Sequence, residues 1–312
     1  MAPLFHAAGS LAVLATVWIG GRQVIIPAFD AAAALDAIAA EQVTATLGVP
    51  TMIAALAEEQ LARPRQVGSL RSLAHGGSPI ATEVVRRAHT AFPSTELIHA
   101  YGATETAPLV TLLRHEEQRA ESDLARSCGQ AVAGVDVRIV DPSGHDLPPG
   151  EIGEVVMRGP NVMQGYWNKP EQTADALRHG WYHSGDLGFM NAQGYVFLVD
   201  RAQDMIISGG ENVYSTEVEE VLYKHPAVLE AAVFGVPDAT WGEAVHAVVV
   251  PRPGHTVDTS SLIAFCREHI AGYKAPKQVD LRSDPLPKSG PGKVLKRELR
   301  APFWVSHTAQ IN

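Results

Sequence analysis

The chain has 312 residues, 46% of them hydrophobic and 19% charged, with a formal net charge of −9. That length and composition exclude a disordered or fibrous chain and predict two or more packed units, while the acidic balance argues against general nucleic-acid binding. The two cysteines, Cys128 and Cys266, stand far apart and outside any CxxC, which suggests neither a zinc site nor a disulfide framework and fits a reducing cytoplasm.

The opening stretch, Ala2 to Gly21, holds no Lys, Arg, Asp or Glu and has the composition of a membrane span or signal. No basic segment precedes it, and Pro3, His6, Gly9, Gly20 and Gly21 interrupt it. It reads instead as a buried helix feeding a buried strand over Gln23 to Ile26. Further strands are expected at Ala45 to Val49, Ser69 to Ala74 and Glu96 to Ala100, with helices at Ala31 to Glu41, capped by Asp30, and at Thr82 to Ala91. This rhythm predicts an α/β part with a largely parallel sheet over 1–125. From 126 to 200 the texture changes to short strands with Gly/Pro turns, such as Val135 to Val140, the turn Asp141 to Gly144, and Glu154 to Arg158. A small β-barrel or a distorted sheet follows from it. Beyond Asp200, a helix at Thr216 to Lys224, strands at Val228 to Val236 and Ala244 to Val250, and a helix at Ser260 to His269 predict a compact α+β domain over 201–312. Its tail is basic, with nine Lys/Arg against four Asp/Glu from Cys266 to Arg300, either a solvated surface or a face that meets phosphate.

Familiar signatures are absent. Ser289 to Lys293 lacks the earlier Gly and the following Ser/Thr of a phosphate loop, and His75 to Pro79 is no nucleophile elbow because Ile80 stands where Gly is required. What remains is an ordered series of Gly-rich turns carrying single polar residues. Tyr101-Gly102-Ala103-Thr104-Glu105 follows a predicted strand, where α/β sheets bind ligands, or is a polar turn with Thr as a cap. Trp181 to Asp186 sets a carboxylate after Gly185, suited to two ribose hydroxyls, or forms an Asx turn.

These turns, with Pro3 to His6, Gly159 to Pro170, Asp200 to Asp204, Ser208 to Asn212 and Pro287 to Lys293, closely resemble the successive core motifs of the adenylate-forming (AMP-binding) superfamily. That superfamily comprises acyl-CoA synthetases, peptide-synthetase adenylation domains and luciferases, and the resemblance runs from Pro3 to Arg300. It implies a partial N-terminal AMP-binding domain over 1–200 and a mobile C-terminal lid over 201–312. It also implies a ligase that joins a carboxylic acid to AMP, using ATP and Mg²⁺, and passes the acyl group to coenzyme A.

Carried onto matching positions, Tyr101 stacks on adenine, and Gly76, Gly77, Ser78 and Gly102 bring the chain close to the nucleotide. Thr104 bonds a phosphate, Glu105 ligates Mg²⁺, and Asp186 and Arg201 hold the ribose. Lys293 bridges the substrate carboxylate and the α-phosphate. Gln203 sits at the hinge, where Asp or Lys is usual, and Ser208, Gly209, Gly210 and Glu211 serve the coenzyme A step. His6, with Ala103, lines the acyl pocket, or is a satisfied core histidine. The Gly-Gly-Glu-Asn run and Tyr214 resemble acyl-CoA synthetases more than peptide-synthetase adenylation domains, which implies coenzyme A as the acceptor, and the resemblance as a whole implies a ligase of the fatty-acid-CoA type.

The superfamily's Ser/Thr/Gly-rich phosphate loop has no counterpart before Pro3. From this follows the expectation of an apolar sheet face that a partner or an oligomer covers. Three readings stay open: a shortened acyl-CoA ligase, a non-catalytic AMP- or acyl-CoA-binding chain, and a longer ligase whose start lies upstream of Met1.

Overall fold

A computed structural model describes residues 3–118, 122–290 and 292–305; Met1, Ala2 and Pro291 of the sequence motifs lie outside these. The chain divides into two compact units, Met1–Leu198 with Gly290–Lys293, and Val199–Ser289 with Val294–Asn312.

The first unit opens with α1 (Ala7–Trp18), whose first turn is capped by His6 Nδ1 accepting from the Ala8 N–H. Helix α2 (Ala31–Glu41) starts where the Asp30 carboxylate accepts from Ala33 N–H at 2.8 Å. Strands β1 (Ala45–Gly48), β2 (Ser72–Gly76) and β3 (Glu96–Tyr101) run parallel, and the antiparallel β4 (Thr111–Leu113) and β5 (Gln130–Ala131) complete a sheet ordered β1-β2-β3-β4-β5. The crossovers are α3 (Pro50–Ala62), begun by a proline that gives up no needed donor, and α4 (Thr82–Ala91). Ile53 and Leu56 of α3, Val85 of α4 and Leu73 and Leu97 of the strands are fully or almost fully buried. Each strand therefore ends its carboxyl side at a turn whose position is fixed by packing below it.

The β-rich part holds β6 (Asp136–Val140), β7 (Gly153–Arg158), β8 (Tyr182–Met190) and β9 (Val196–Arg201). They hydrogen-bond in that order as an open four-stranded sheet, the second of the two forms expected and not a closed barrel. A helix, α5 (Pro170–Ala176), lies between β7 and β8 in the chain. Its core joins Tyr101, Val110 and Cys128 to Ile139, Val155, Met157 and Val196, so the two sheets of this unit share apolar side chains.

In the second unit β10 (Ile206–Ser208) and β11 (Glu211–Val213) form a hairpin through Gly209 and Gly210, both at positive φ, the backbone that a two-residue turn between twisted strands demands. It continues through α6 (Ser215–Lys224), β12 (Val228–Asp238), β13 (Gly242–Pro251), α7 (Thr259–His269), β14 (Gln278–Leu281) and α8 (Lys296–Trp304). Strand β13 pairs with β10, β12 and β14, and the apolar cores packed on this sheet include Val218, Leu222 and Leu262 in one cluster and Phe234, Leu286 and Leu299 in another.

Two expectations are corrected. Gln23 to Ile26 is not a strand: no neighbouring strand pairs with it, and the Gln23 side chain bonds Val13 O instead. Helix α1 is not buried; only Gly9 is, while Leu14, Val17 and Ile19 are exposed and Trp18 is 90% exposed. Part of the exposed apolar surface therefore lies on α1. Among the described residues no helix is long and apolar enough to cross a membrane.

Leu73→Ala should lower unfolding free energy by about 2–5 kcal/mol through cavity formation, whereas Trp18→Ala should change it by less than about 0.5 kcal/mol. Urea denaturation of both variants checks the contrast.

Candidate functional site

The carboxyl ends of β2 and β3 are adjacent, Gly76 lying opposite Ala100 in the parallel register. A Cβ on Gly76 would meet Ala100 O at 2.1 Å, so only glycine permits this approach. Gly77 follows at φ +83°, and Ser78 is half-buried. Behind Gly76, the rings of His75 and His99 stack at 4.6 Å, buried, with Gln118 Nε2 2.6 Å from His75 Nε2 and Ser127 O at 3.1 Å from His99 Nδ1. Burial, and then the neighbouring His99, hold His75 well below the ordinary imidazole value; burial lowers His99 to about 4.

Beyond β3 the chain makes a single 3₁₀ turn over Thr104–Thr106. Thr106 Oγ1 accepts from Ala103 N–H and donates to Ala103 O, while a Cβ on Gly102 would strike Pro108 O at 2.0 Å. Thr104 is exposed and Glu105 half-buried. The segment from 159 to 170 clasps this turn. Asn161 Nδ2 donates to Thr106 O and Leu109 O, Met163 N–H donates to Glu105 O, and the Tyr166 hydroxyl donates to Glu105 Oε1 at 2.8 Å. Burial, with the Glu105 carboxylate beside it, raises the Tyr166 phenol to about 12.

Tyr101 ends β3 and is only 8% exposed; its hydroxyl donates to Asp186 Oδ2 at 2.7 Å. Burial, then Asp186, hold its phenol well above the usual range. The ring packs into the core of the β-rich part. Asp186 is placed by the Ser184 hydroxyl, which accepts from Asp186 N–H and donates to Val155 O on β7.

Segment Gly290–Lys293 belongs to the first unit. Thr51 Oγ1, at the start of α3, donates to Gly292 O at 2.9 Å, and the Lys293 Cε lies 3.1 Å from where a Gly77 Cβ would stand. Burial, then the Lys293 ammonium, hold the His6 imidazole below its ordinary value, which keeps its Nδ1 able to cap α1. Gly76, Gly77, Tyr101, Asp186, the Thr104–Glu105 turn, His6 and Lys293 are therefore all placed in one unit.

Of the expected residues, Arg201, Gln203, Ser208, Gly209, Gly210 and Glu211 lie in the other unit. Arg201 and Gln203 are exposed; Arg201 N–H donates to Asp200 Oδ1, and Arg300 Nη1 donates to Gln203 O. Ser208 is buried, and Gly209, Gly210 and Glu211 are exposed at the hairpin tip. Gly209 N–H donates to Trp241 O, and the Trp241 indole covers Gly209. Below the hairpin Lys296 is held by Glu219 at 2.7 Å and donates to the Ser215 hydroxyl, while the buried Asp200 accepts from Ser215 N–H. Burial pushes the Asp200 and Glu219 carboxyls up against the opposing pull of Lys296.

Tyr166, Thr51, Trp241 and the Asp200–Glu219–Lys296 group were not among the expected site residues. Tyr166 lies in the quoted 159–170 motif, but its partner is 61 residues upstream, and no local pattern encodes that contact. Among the described residues no group of three or more His, Cys, Asp or Glu converges as a metal site. A lone carboxylate beside a threonine hydroxyl nevertheless fits magnesium, which usually takes one or two protein carboxylates and fills its shell with phosphate and water.

The family model described as AMP-binding enzyme matches residues 1–167, and that of the AMP-binding enzyme C-terminal domain matches 217–293. The chain belongs to the AMP-binding enzyme family. Within it, a feruloyl-CoA synthase of Amycolatopsis sp is 46% identical over 97% of this chain and 60% of the relative. An indoleacetate-CoA ligase of Aromatoleum aromaticum is 38% identical over 96% and 58%, and a long-chain-fatty-acid-CoA ligase of Bacillus subtilis is 36% identical over 95% and 52%. Among solved AMP-binding relatives, an amide bond synthetase of Marinactinospora thermotolerans superposes with TM-score 0.86 at 37% identity, covering 95% of this chain and 59% of that one. The o-succinylbenzoate CoA synthetase of Bacillus subtilis with its acyl-adenylate intermediate gives TM-score 0.82 at 34% identity, covering 95% and 59%. The chain thus spans no more than 60% of the length of these relatives. These neighbours are adenylate-forming enzymes, and the mixed α/β architecture agrees with theirs.

The histidine pair beneath Gly76 makes stability depend on acid. With folded-state values below the unfolded 6.5, the folded form keeps both rings neutral while the unfolded chain takes up protons. Stability is full above pH about 6.5 and falls toward pH 4, by up to about 1.4 kcal/mol per pH unit for each histidine. Urea unfolding at pH 7, 6 and 5 should show this slope, and His99→Gln should flatten it.

Proposed function

We propose that this chain carries the adenylate-forming site of an acid-thiol ligase. In the first step a substrate carboxylate oxygen attacks the α-phosphorus of ATP and pyrophosphate leaves. In the second, the thiol of coenzyme A attacks the acyl carbon and AMP leaves. The observation that carries the reading is the convergence, at the carboxyl ends of two parallel strands, of the Gly76–Gly77 turn, the Tyr101–Asp186 pair and Lys293. Ligands of open α/β sheets bind at that end.

In this reading Gly76, Gly77, Ser78 and Gly102 let the backbone approach the base and sugar, and the edge of Tyr101 bounds the base. Asp186 accepts from ribose hydroxyls, joined by Arg201. Thr104 donates to a phosphate oxygen. Glu105 holds Mg²⁺, which neutralises phosphate charge when bound. Lys293 sets a cation where negative charge grows as oxygen adds to phosphorus, a contribution worth most where it needs no reorganisation. Gln203 serves as hinge and the Ser208–Glu211 hairpin tip as a surface for the coenzyme A arm, with His6 and Ala103 beside the acyl group. Fatty acids are one candidate substrate class. Relatives named for feruloyl and indoleacetate chemistry match at equal or higher identity, so aryl acids stand beside them.

The test is exchange of radiolabelled pyrophosphate into ATP by the purified full chain, with Mg²⁺ and a panel of ferulate, indoleacetate and fatty acids. Acid-dependent exchange is the expected result, and Lys293→Ala should reduce it by about 10²–10³-fold. Binding of AMP without exchange for any acid would replace this reading with that of a non-catalytic nucleotide-binding chain.

A further inference from the structure

We propose that Tyr166 is a positioning residue that sets the cation preference of the nucleotide site: by donating to one oxygen of Glu105, it holds the carboxylate so that the other oxygen is the one turned toward a divalent ion. The inference rests on Glu105 being the magnesium ligand in the function proposed above. Its geometric basis is a chain of contacts that runs away from the turn. Tyr166 donates to Glu105 Oε1 at 2.8 Å, and Tyr166 N–H donates to Thr173 Oγ1 at 2.9 Å. Thr173 in turn donates to Lys169 O at 2.7 Å on the first turn of α5. Gly165, just before the tyrosine, is at φ +148°, and a Cβ there would stand 2.6 Å from Thr173 Cγ2, so the approach of 165–166 to α5 is set by backbone packing. Met163 N–H and Asn161 Nδ2 fix the main chain of the same turn through Glu105 O and Thr106 O. The carboxylate is therefore held at its backbone from one side and at one oxygen from the other.

That arrangement has a chemical consequence. Calcium takes six to eight oxygens and accepts a carboxylate through both of its oxygens, whereas magnesium demands a near-octahedral shell at about 2.0–2.1 Å and takes carboxylates singly. A carboxylate held by a hydrogen bond at Oε1, which draws electron density from that oxygen, favours the single-oxygen contact through Oε2 that suits magnesium over the two-oxygen contact that suits calcium. The phenol hydroxyl also fixes which way Oε2 points, the role that hydrogen-bond partners behind a metal ligand generally play.

The experiment measures ATP binding to the full chain by calorimetry as Mg²⁺ or Ca²⁺ is titrated, with no turnover required. Wild type should bind ATP more tightly with Mg²⁺ than with Ca²⁺. In Tyr166→Phe, which removes only the hydroxyl, the Mg²⁺-supported affinity should fall by about 10–100-fold, and the Mg²⁺/Ca²⁺ ratio should move toward Ca²⁺. Thr173→Val, which loosens Tyr166 without touching Glu105, should shift the ratio in the same direction by less, and serves if the first variant misfolds. An equal loss with both ions and an unchanged ratio would mean that Tyr166 is merely structural, and would overturn the inference. Glu105→Gln separates the two levels: if it abolishes metal dependence while Tyr166→Phe keeps the wild-type ratio, only the role of Tyr166 falls. If Glu105→Gln leaves metal dependence intact, or wild type shows none, the magnesium role of Glu105 falls and the inference with it.

Discussion

The Tyr101 hydroxyl and the Asp186 carboxylate are 85 residues apart in the chain and 2.7 Å apart in space. A phenol donating to a carboxylate inside an apolar cluster is a charge-assisted bond in a low-dielectric setting, stronger than its counterpart in water. Losing Asp186 would leave the buried Tyr101 hydroxyl without this bond, which costs more than the bond itself contributes. It ties the end of β3 in the α/β sheet to β8 in the β-rich sheet, and the shared core around Val110, Met157 and Val196 forms around that tie. The Gly76–Ala100 approach and the Thr104–Thr106 turn inherit their positions from β3, so the same bond orders both flanks of the site.

Much of this was legible from local chemistry. The Asp30 cap and the run Ala31 to Glu41 specify α2 by themselves. The parallel strands at Ala45 and Glu96 follow from short apolar runs between helices, and the family motifs placed most site residues on turns at strand ends. What failed has a common cause. Strand propensity in Val24, Ile25 and Ile26 needs a neighbouring edge to pair with, and apolarity in α1 needs a surface to cover it; neither requirement is written in the segment itself. Strand β2 begins three residues later than its apolar pattern suggests, because its register is set by pairing with Glu96 to Ala100. Tyr166 and Thr51 were missed because their partners are distant in sequence, at Glu105 and Gly292.

The second unit places its charge differently from the first. Asp200, Glu219 and Lys296 form a buried ionic group directly beside the segment that contains Arg201 and Gln203. Breaking such a group by removing one partner is costly, because the remaining charges stay desolvated. The segment around 200–204 therefore has a rigid anchor on its carboxyl side, from Ser215 N–H on Asp200 and Arg300 on Gln203 O. A neutral Gln203 side chain leaves that geometry intact while giving up the charge that the superfamily usually places there.

The exposed side chains of α1 bear on how the protein behaves in solution. Leu11, Leu14, Val17, Trp18 and Ile19 lie on one short helix and its end, followed by the exposed Ile25, and no acidic or basic residue stands in the first or last turn. Net charge of −9 gives copies of the chain a mutual repulsion that acts over roughly the Debye length and shrinks as salt is added. Adhesion between helical ridges grows instead when sulfate or phosphate is added. An acidic chain with an exposed, uncharged helix thus sets two salt effects side by side: screening weakens the repulsion between copies, and salting-out anions favour covering apolar surface.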